Sequence, residues 1–155
     1  MIASRASDAP HAFGYSPAPN AASQTVANLE VARRYLAAIE AGATGDELAA
    51  FFSPAVEQIE YPNRLVPTGA HRRLPDLLEG AVRGRKVMRA QRYQVEHAYA
   101  DGAIVMLEVV WIGTLAIDLA NTPAGGEMRA HFAVVLEMMD ERIVAQRNYD
   151  CFDPF

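Results

Sequence analysis

The sequence has one cysteine and one tryptophan in 155 residues, no run of lysines or arginines, and no long apolar stretch. Each scarcity excludes something. A single thiol, Cys151, can build neither a disulfide framework nor a paired-thiolate zinc site, and it predicts a reducing, cytoplasmic setting. There are 14 Lys plus Arg against 19 Asp plus Glu, a formal charge of -5. The basic residues gather only at Arg72-Arg73 and from Arg83 to Lys86, so nucleic acid is not an expected partner. A membrane helix needs about 20 apolar residues, and the longest run, Ala103 to Val110, is interrupted by Glu108, so no membrane partner is expected. The start carries Arg5 but no apolar segment after it and does not read as a signal peptide. His71 and His97 have no ligand-spaced partners; no metal and no other cofactor is expected.

What is present is apolar content of 51%, enough for the core of one domain. Residues 1–23 are dense in Ala, Ser and Pro, with Pro10, Pro17 and Pro19 spaced against regular structure, and predict a flexible tail. The domain is expected over residues 24–155. Val26, Leu29, Ala32, Leu36 and Ile39 recur at helical spacing and end at Gly42. Thr44 and Glu47 read as a capping box for a short second helix that Pro54 stops. The segment AVEQIEYPN alternates as a strand, with Ile59, Tyr61 and Asn63 on one side. A loop with Pro67 and Gly69 leads to a third helix near Leu74 to Val87, with Pro75 in its first turn.

From Arg89 the period falls to two. Tyr93, Val95, His97 and Tyr99 share a face, Asp101-Gly102 is a hairpin turn, and Ala103 to Ile117 is a long apolar strand. A second turn over Asn121 to Gly126 feeds a C-terminal hairpin closed at Asp140-Glu141. On its return strand Gln146, Asn148 and Asp150 share one face, and Arg147, Tyr149 and Cys151 the other. A row of amides and a carboxylate opposite an apolar strand is costly to bury unpaired, so it faces solvent or lines a pocket. The order predicts an α+β fold, a curved antiparallel β-sheet packed against three N-terminal helices. Long strands twist, and a twisted sheet closed by helices leaves a cone-shaped hollow suited to a ligand.

VARRYLAAIEAG, AVEQIEYPN, EVVWIGT followed by TPAGG, and DERIVAQRNYDCF resemble the SnoaL-like group of the nuclear transport factor 2-like superfamily, from about Thr25 to Phe155. The resemblance implies the cone-shaped roll and a homodimer formed through the outer face of the sheet. It also implies a range of activities, among them polyketide cyclases, ketosteroid isomerases, epoxide hydrolases and proteins without catalysis. Tyr35 matches the tyrosine with which ketosteroid isomerases hold an enolate oxygen, while their general base falls on Tyr61. Tyr61-Pro62-Asn63 resembles the water-holding Tyr-x-Asn of the epoxide hydrolases. Their last-strand aspartate, which is also the acid/base of the cyclases, falls on Asn148, and their Arg-x-Asp falls around Glu108 to Trp111.

The candidate catalytic residues are Asp150, His131 and Tyr61. A carboxylate in an apolar cavity has its pKa raised into a useful range, and a histidine exchanges protons near neutrality. Tyr35, Asn63, Glu108, Trp111, Gln146 and Asn148 are expected to bind substrate; Glu108 is either paired with Arg129 or Arg147 or a replacement base. Two functions follow: an acid-base isomerase, cyclase or hydrolase acting on a small hydrophobic molecule, or a non-catalytic ligand-binding or dimerisation domain.

Overall fold

The computed structural model describes residues 19–155. Its elements are α1 (Pro19–Glu40), α2 (Gly45–Ala49), β1 (Phe52–Glu60), β2 (Ala70–Arg73), α3 (Leu74–Val87), β3 (Met88–Asp101), β4 (Ile104–Leu115), β5 (Glu127–Met139) and β6 (Arg142–Phe152). The strands form one curled sheet in the order β2-β1-β6-β5-β4-β3. The last four make an antiparallel meander, β1 joins β6 in parallel, and β2 folds back on β1. This is the expected α+β arrangement.

The core lies between α1 and the concave face. Val31, Ala32, Tyr35 and Leu36 pack with Phe52, Val56, Val105, Leu107, Val134, Leu136 and Ile143, all buried. The helix ends in a Schellman turn, with Gly42 at φ +82°. There the Ala43 amide donates to the Ala38 carbonyl and the Gly42 amide to Ile39, the pattern a left-handed glycine permits. At the far end of β4, Trp111, Leu115, Met128 and Ala130 form a second buried cluster with Phe132 and Phe152 against it.

Five local expectations change. α1 begins at Pro19, so residues 19–23 belong to the helix and the rest of the expected tail lies outside the described residues. Proline is acceptable there because first-turn amides need no helical partner. Thr44 precedes α2 without a side-chain cap bond. Pro54 lies within β1, which starts at Phe52; the register slips between Phe52 and Glu57, so no ladder bond is required of it. The loop after Gly69 contains β2. In β3 a bulge between Val95 and His97 reverses the alternation. Tyr93 and Val95 therefore pack inward with Ala98 and Ala100, while Tyr99 is half exposed.

The β5–β6 turn is the predicted Asp140-Glu141 pair, at φ 51° and 57°. A two-residue hairpin loop of this type favours glycine, and side chains there are strained by about 1 kcal/mol each. Glu141→Gly is therefore expected to stabilise the protein by about 0.5–1 kcal/mol, read as a higher midpoint in urea denaturation. An unchanged or lower midpoint would show that the turn is unstrained.

Candidate functional site

The concave face and the helices enclose a hollow with two lobes. One, of about 240 Å³, is lined by Leu36, Met88, Gln91, Trp111, Phe132, Gln146, Asn148, Asp150 and Phe152. The other, of about 440 Å³, opens between β1 and α3 past Gln58, Glu60, Arg72, Leu77 and Ala81. Tyr35, Ile39, Gln58 and Tyr93 border both. Strand alternation explains the composition: the shared face of Gln146, Asn148 and Asp150 on β6 is the inward one, and the inward row of β1 is Val56, Gln58 and Glu60.

The polar groups form a continuous network. The Tyr35 hydroxyl donates to Gln146 Oε1 at 3.0 Å. Gln146 Nε2 donates to Asn148 Oδ1 at 2.8 Å, and Gln58 Nε2 reaches the same oxygen at 3.4 Å. Arg72 Nη1 donates to Gln58 Oε1 at 3.0 Å and to Glu60 Oε2 at 2.6 Å. On the opposite wall Gln91 Oε1 accepts from Trp111 Nε1 at 3.1 Å and from the Tyr93 hydroxyl at 3.2 Å. Trp111 stacks on Phe132 with centroids 5.7 Å apart, and Phe152 meets both edge-on.

Asp150 stands apart within this network. Its Oδ1 is buried and has no hydrogen-bond partner among the protein's own groups. Burial, reinforced by the nearby Glu60 carboxylate, raises its pKa from 3.8 to about 6, against the opposing pull of a hydrogen bond with Asn148 and the charge of Arg72. Desolvation raises the Tyr35 and Tyr93 hydroxyls far above the ordinary phenol value, so both stay protonated.

Of the predicted site residues, Asp150, Asn148, Gln146, Tyr35 and Trp111 meet in the hollow. The others do not. His131 lies between inward-facing Ala130 and Phe132, so its side chain is on the outer face, exposed, in a shallow cleft with Glu96, Tyr149 and Cys151. Tyr61 is also outside, stacked on Tyr149 at 4.6 Å; β1 turns Gln58 and Glu60 inward instead, so the predicted catalytic trio is not assembled. Asn63 shapes its loop, accepting from the Leu65 and Val66 amides and donating to Glu60. Glu108 pairs on the outer face with His97 at 3.0 Å, not with Arg129 or Arg147; Arg147 is bound to Glu137. Tyr35 lines the hollow, but its proton is engaged by Gln146. His131→Ala and Tyr61→Phe are accordingly expected to change any turnover less than about twofold, measured as kcat/KM. A loss above tenfold in either would place the chemistry outside the hollow.

Sequence reading missed Gln58, Glu60, Arg72, Gln91 and Tyr93. The alternation of VEQIEY held the signal for the first two, since Val56, Gln58 and Glu60 share a face. The weight given to the more apolar Ile59 and Tyr61 hid it. Arg72 depended on recognising β2.

Among the described residues no helix is long and apolar enough to cross a membrane. A sequence model of the SnoaL-like domain matches residues 32–146. No curated protein matches the chain. The fold is similar to that of AclR from Streptomyces galilaeus, with TM-score 0.70 and 14% identity over 84% of this chain and 82% of that one. A phenazine biosynthesis-related protein from Pseudomonas aeruginosa superposes with TM-score 0.66 and 18% identity over 84% and 83%. A SnoaL-like polyketide cyclase from Agrobacterium tumefaciens gives 0.60 and 17% over 79% and 90%. At such identities the likeness establishes the fold.

Proposed function

The chain belongs to the SnoaL-like family, and from that premise we propose that it is a cofactor-independent acid-base enzyme acting on a small hydrophobic molecule held in the two-lobed hollow. The reaction is an isomerisation, cyclisation or hydrolysis. Asp150 transfers the proton, and Trp111, Tyr35, Gln146 and Asn148 shape and orient the bound molecule. The observation that carries this reading is the buried, unpartnered Oδ1 of a carboxyl whose pKa is raised to about 6. A carboxyl left unpaired at a cost of a few kcal/mol is explained if a ligand supplies the missing donor. The aromatic cluster around Trp111 suits an apolar body, and the polar row of β6 suits one or two oxygens.

The protein works as a homodimer in the cytoplasm, paired through the outer face of the sheet. That face carries exposed Ile59, Tyr61, Tyr99 and Tyr149, apolar groups a partner sheet could cover. The test of function is incubation with a panel of hydrophobic carbonyl compounds and epoxides, followed by mass spectrometry. Conversion of at least one compound, lost in Asp150→Asn, is expected. Compounds that bind yet return unchanged throughout would instead support a non-catalytic ligand-binding domain.

A further inference from the structure

Arg72 sits on the short strand β2, at the boundary between the two lobes, with three-quarters of its side chain buried. Of the side chains bordering the 240 Å³ lobe none is cationic, so Arg72 acts on that lobe from its edge. A guanidinium can only donate. The Gln58 atom it meets must therefore be oxygen, which turns the Gln58 nitrogen toward Asn148. The Asn148 atom receiving that nitrogen must in turn be oxygen, which leaves the Asn148 nitrogen available to Asp150, two residues along the same inward row, whose pKa Asn148 pulls down. Gln146 donates to the same Asn148 oxygen, but the partner of Gln146 is the Tyr35 hydroxyl, which can donate or accept, so that branch follows the orientation that the guanidinium alone dictates. Arg72 also holds Glu60, the other carboxylate near Asp150, at 2.6 Å.

We propose that Arg72 is a positioning residue: it sets the direction of the Gln58–Asn148 hydrogen-bond series beside Asp150, turning the Asn148 nitrogen to that carboxyl's side and leaving Oδ1 open to the ligand. The catalytic consequence rests on the role proposed for Asp150; the orientation does not. The ionisable groups facing Asp150 are Glu60 on β1, Arg72 on β2, Tyr93 on β3 and Tyr35 on α1. The two phenols stay neutral, so removing Arg72 leaves Glu60 as the only charge acting on Asp150, and frees the amides of Gln58 and Asn148 to rotate.

The test is a carbon-13 NMR titration of the Asp150 carboxyl in the full-length protein, its signal assigned by disappearance in Asp150→Asn. In Arg72→Met the midpoint is expected about one pH unit above that of the wild type, and the Asn148 side-chain amide signals should shift and broaden. Arg72→Lys, which restores a cationic donor, should return the midpoint most of the way. If the Met variant does not fold, Arg72→Gln removes the charge while keeping a donor for Glu60 and should give the same upward movement. An unmoved Asp150 midpoint with unchanged Asn148 signals in the folded neutral variant would overturn the proposal. Movement of both in a protein that converts no substrate would sustain the positioning role and refute the enzyme reading alone. With a substrate in hand, Arg72→Met should lower kcat about tenfold and displace the acid limb of its pH profile upward; a change confined to KM would contradict the role.

Discussion

Asp150→Asn is expected to lower kcat by about 10²–10⁴-fold, the usual worth of a positioned acid or base, and at the same time to make the protein more stable above pH 6. Both effects come from one carboxyl. In the folded chain its pKa is about 6 instead of 3.8, chiefly because burial disfavours the charge. The native state therefore binds this proton more tightly than the unfolded chain does. Its contribution to stability is fully present below pH 4 and is lost as pH rises through 6. A rise of about two pH units corresponds to at most about 3 kcal/mol. The asparagine variant carries no charge, so its advantage over wild type should be about 1–3 kcal/mol at pH 8 and near zero at pH 4. Urea denaturation at the two pH values measures it. Equal stability at pH 8 would mean that Asp150 is solvated, and an advantage that grows toward acid would reverse the assigned sign.

The second large effect concerns the wall of the hollow. Gly113 lies under the indole of Trp111, and a Cβ there would overlap two carbons of the ring. Trp111 is 4% exposed, its Nε1 is bound to Gln91, and its faces and edge are packed by Phe132 and Phe152. Its one retreat is into the hollow it lines. Gly113→Ala should therefore destabilise by about 1–3 kcal/mol through overpacking, and should narrow the Trp111 end of the cavity enough to weaken ligand binding. Gly84 in α3 is a control, because a Cβ there meets nothing within 4 Å. Gly84→Ala should stabilise by about 0.5–1 kcal/mol from helix propensity alone. If both alanine variants behaved alike in chemical denaturation, the close approach at Gly113 would not constrain the indole.

The strand order of the C-terminal meander, the third helix and the grouping of Gln146, Asn148 and Asp150 on one face were legible because long regular segments state their period plainly; which side of the sheet that face took was not. The Asp140-Glu141 turn was legible from its position between two apolar runs, although neither residue is the glycine such a turn favours. What failed to show was phase and pairing. A bulge after Val95 moves His97 and Tyr99 outside, and nothing in the local pattern marks it. Likewise the C-terminal end of β1 turns Gln58 and Glu60 inward and Ile59 outward, the reverse of what burial leads one to expect. That inversion hid Gln58 and Glu60 and promoted Tyr61 and Asn63. His131 was misplaced although alternation held the signal: Glu127, Arg129, His131 and Glu137 share one face of β5, and the opposite, buried face is wholly apolar. Glu108 found a partner, but across the β3–β4 pair at His97, a contact created by the same bulge.

The most direct test of the account is solvent-deuterium incorporation into a bound carbon acid, followed against pH for wild type and Asp150→Asn. Exchange should rise with pH to a plateau with its midpoint near 6 and be lost in the asparagine variant. Exchange that persists undiminished in Asp150→Asn would contradict it, and would move the proton-transferring group away from the floor of the hollow.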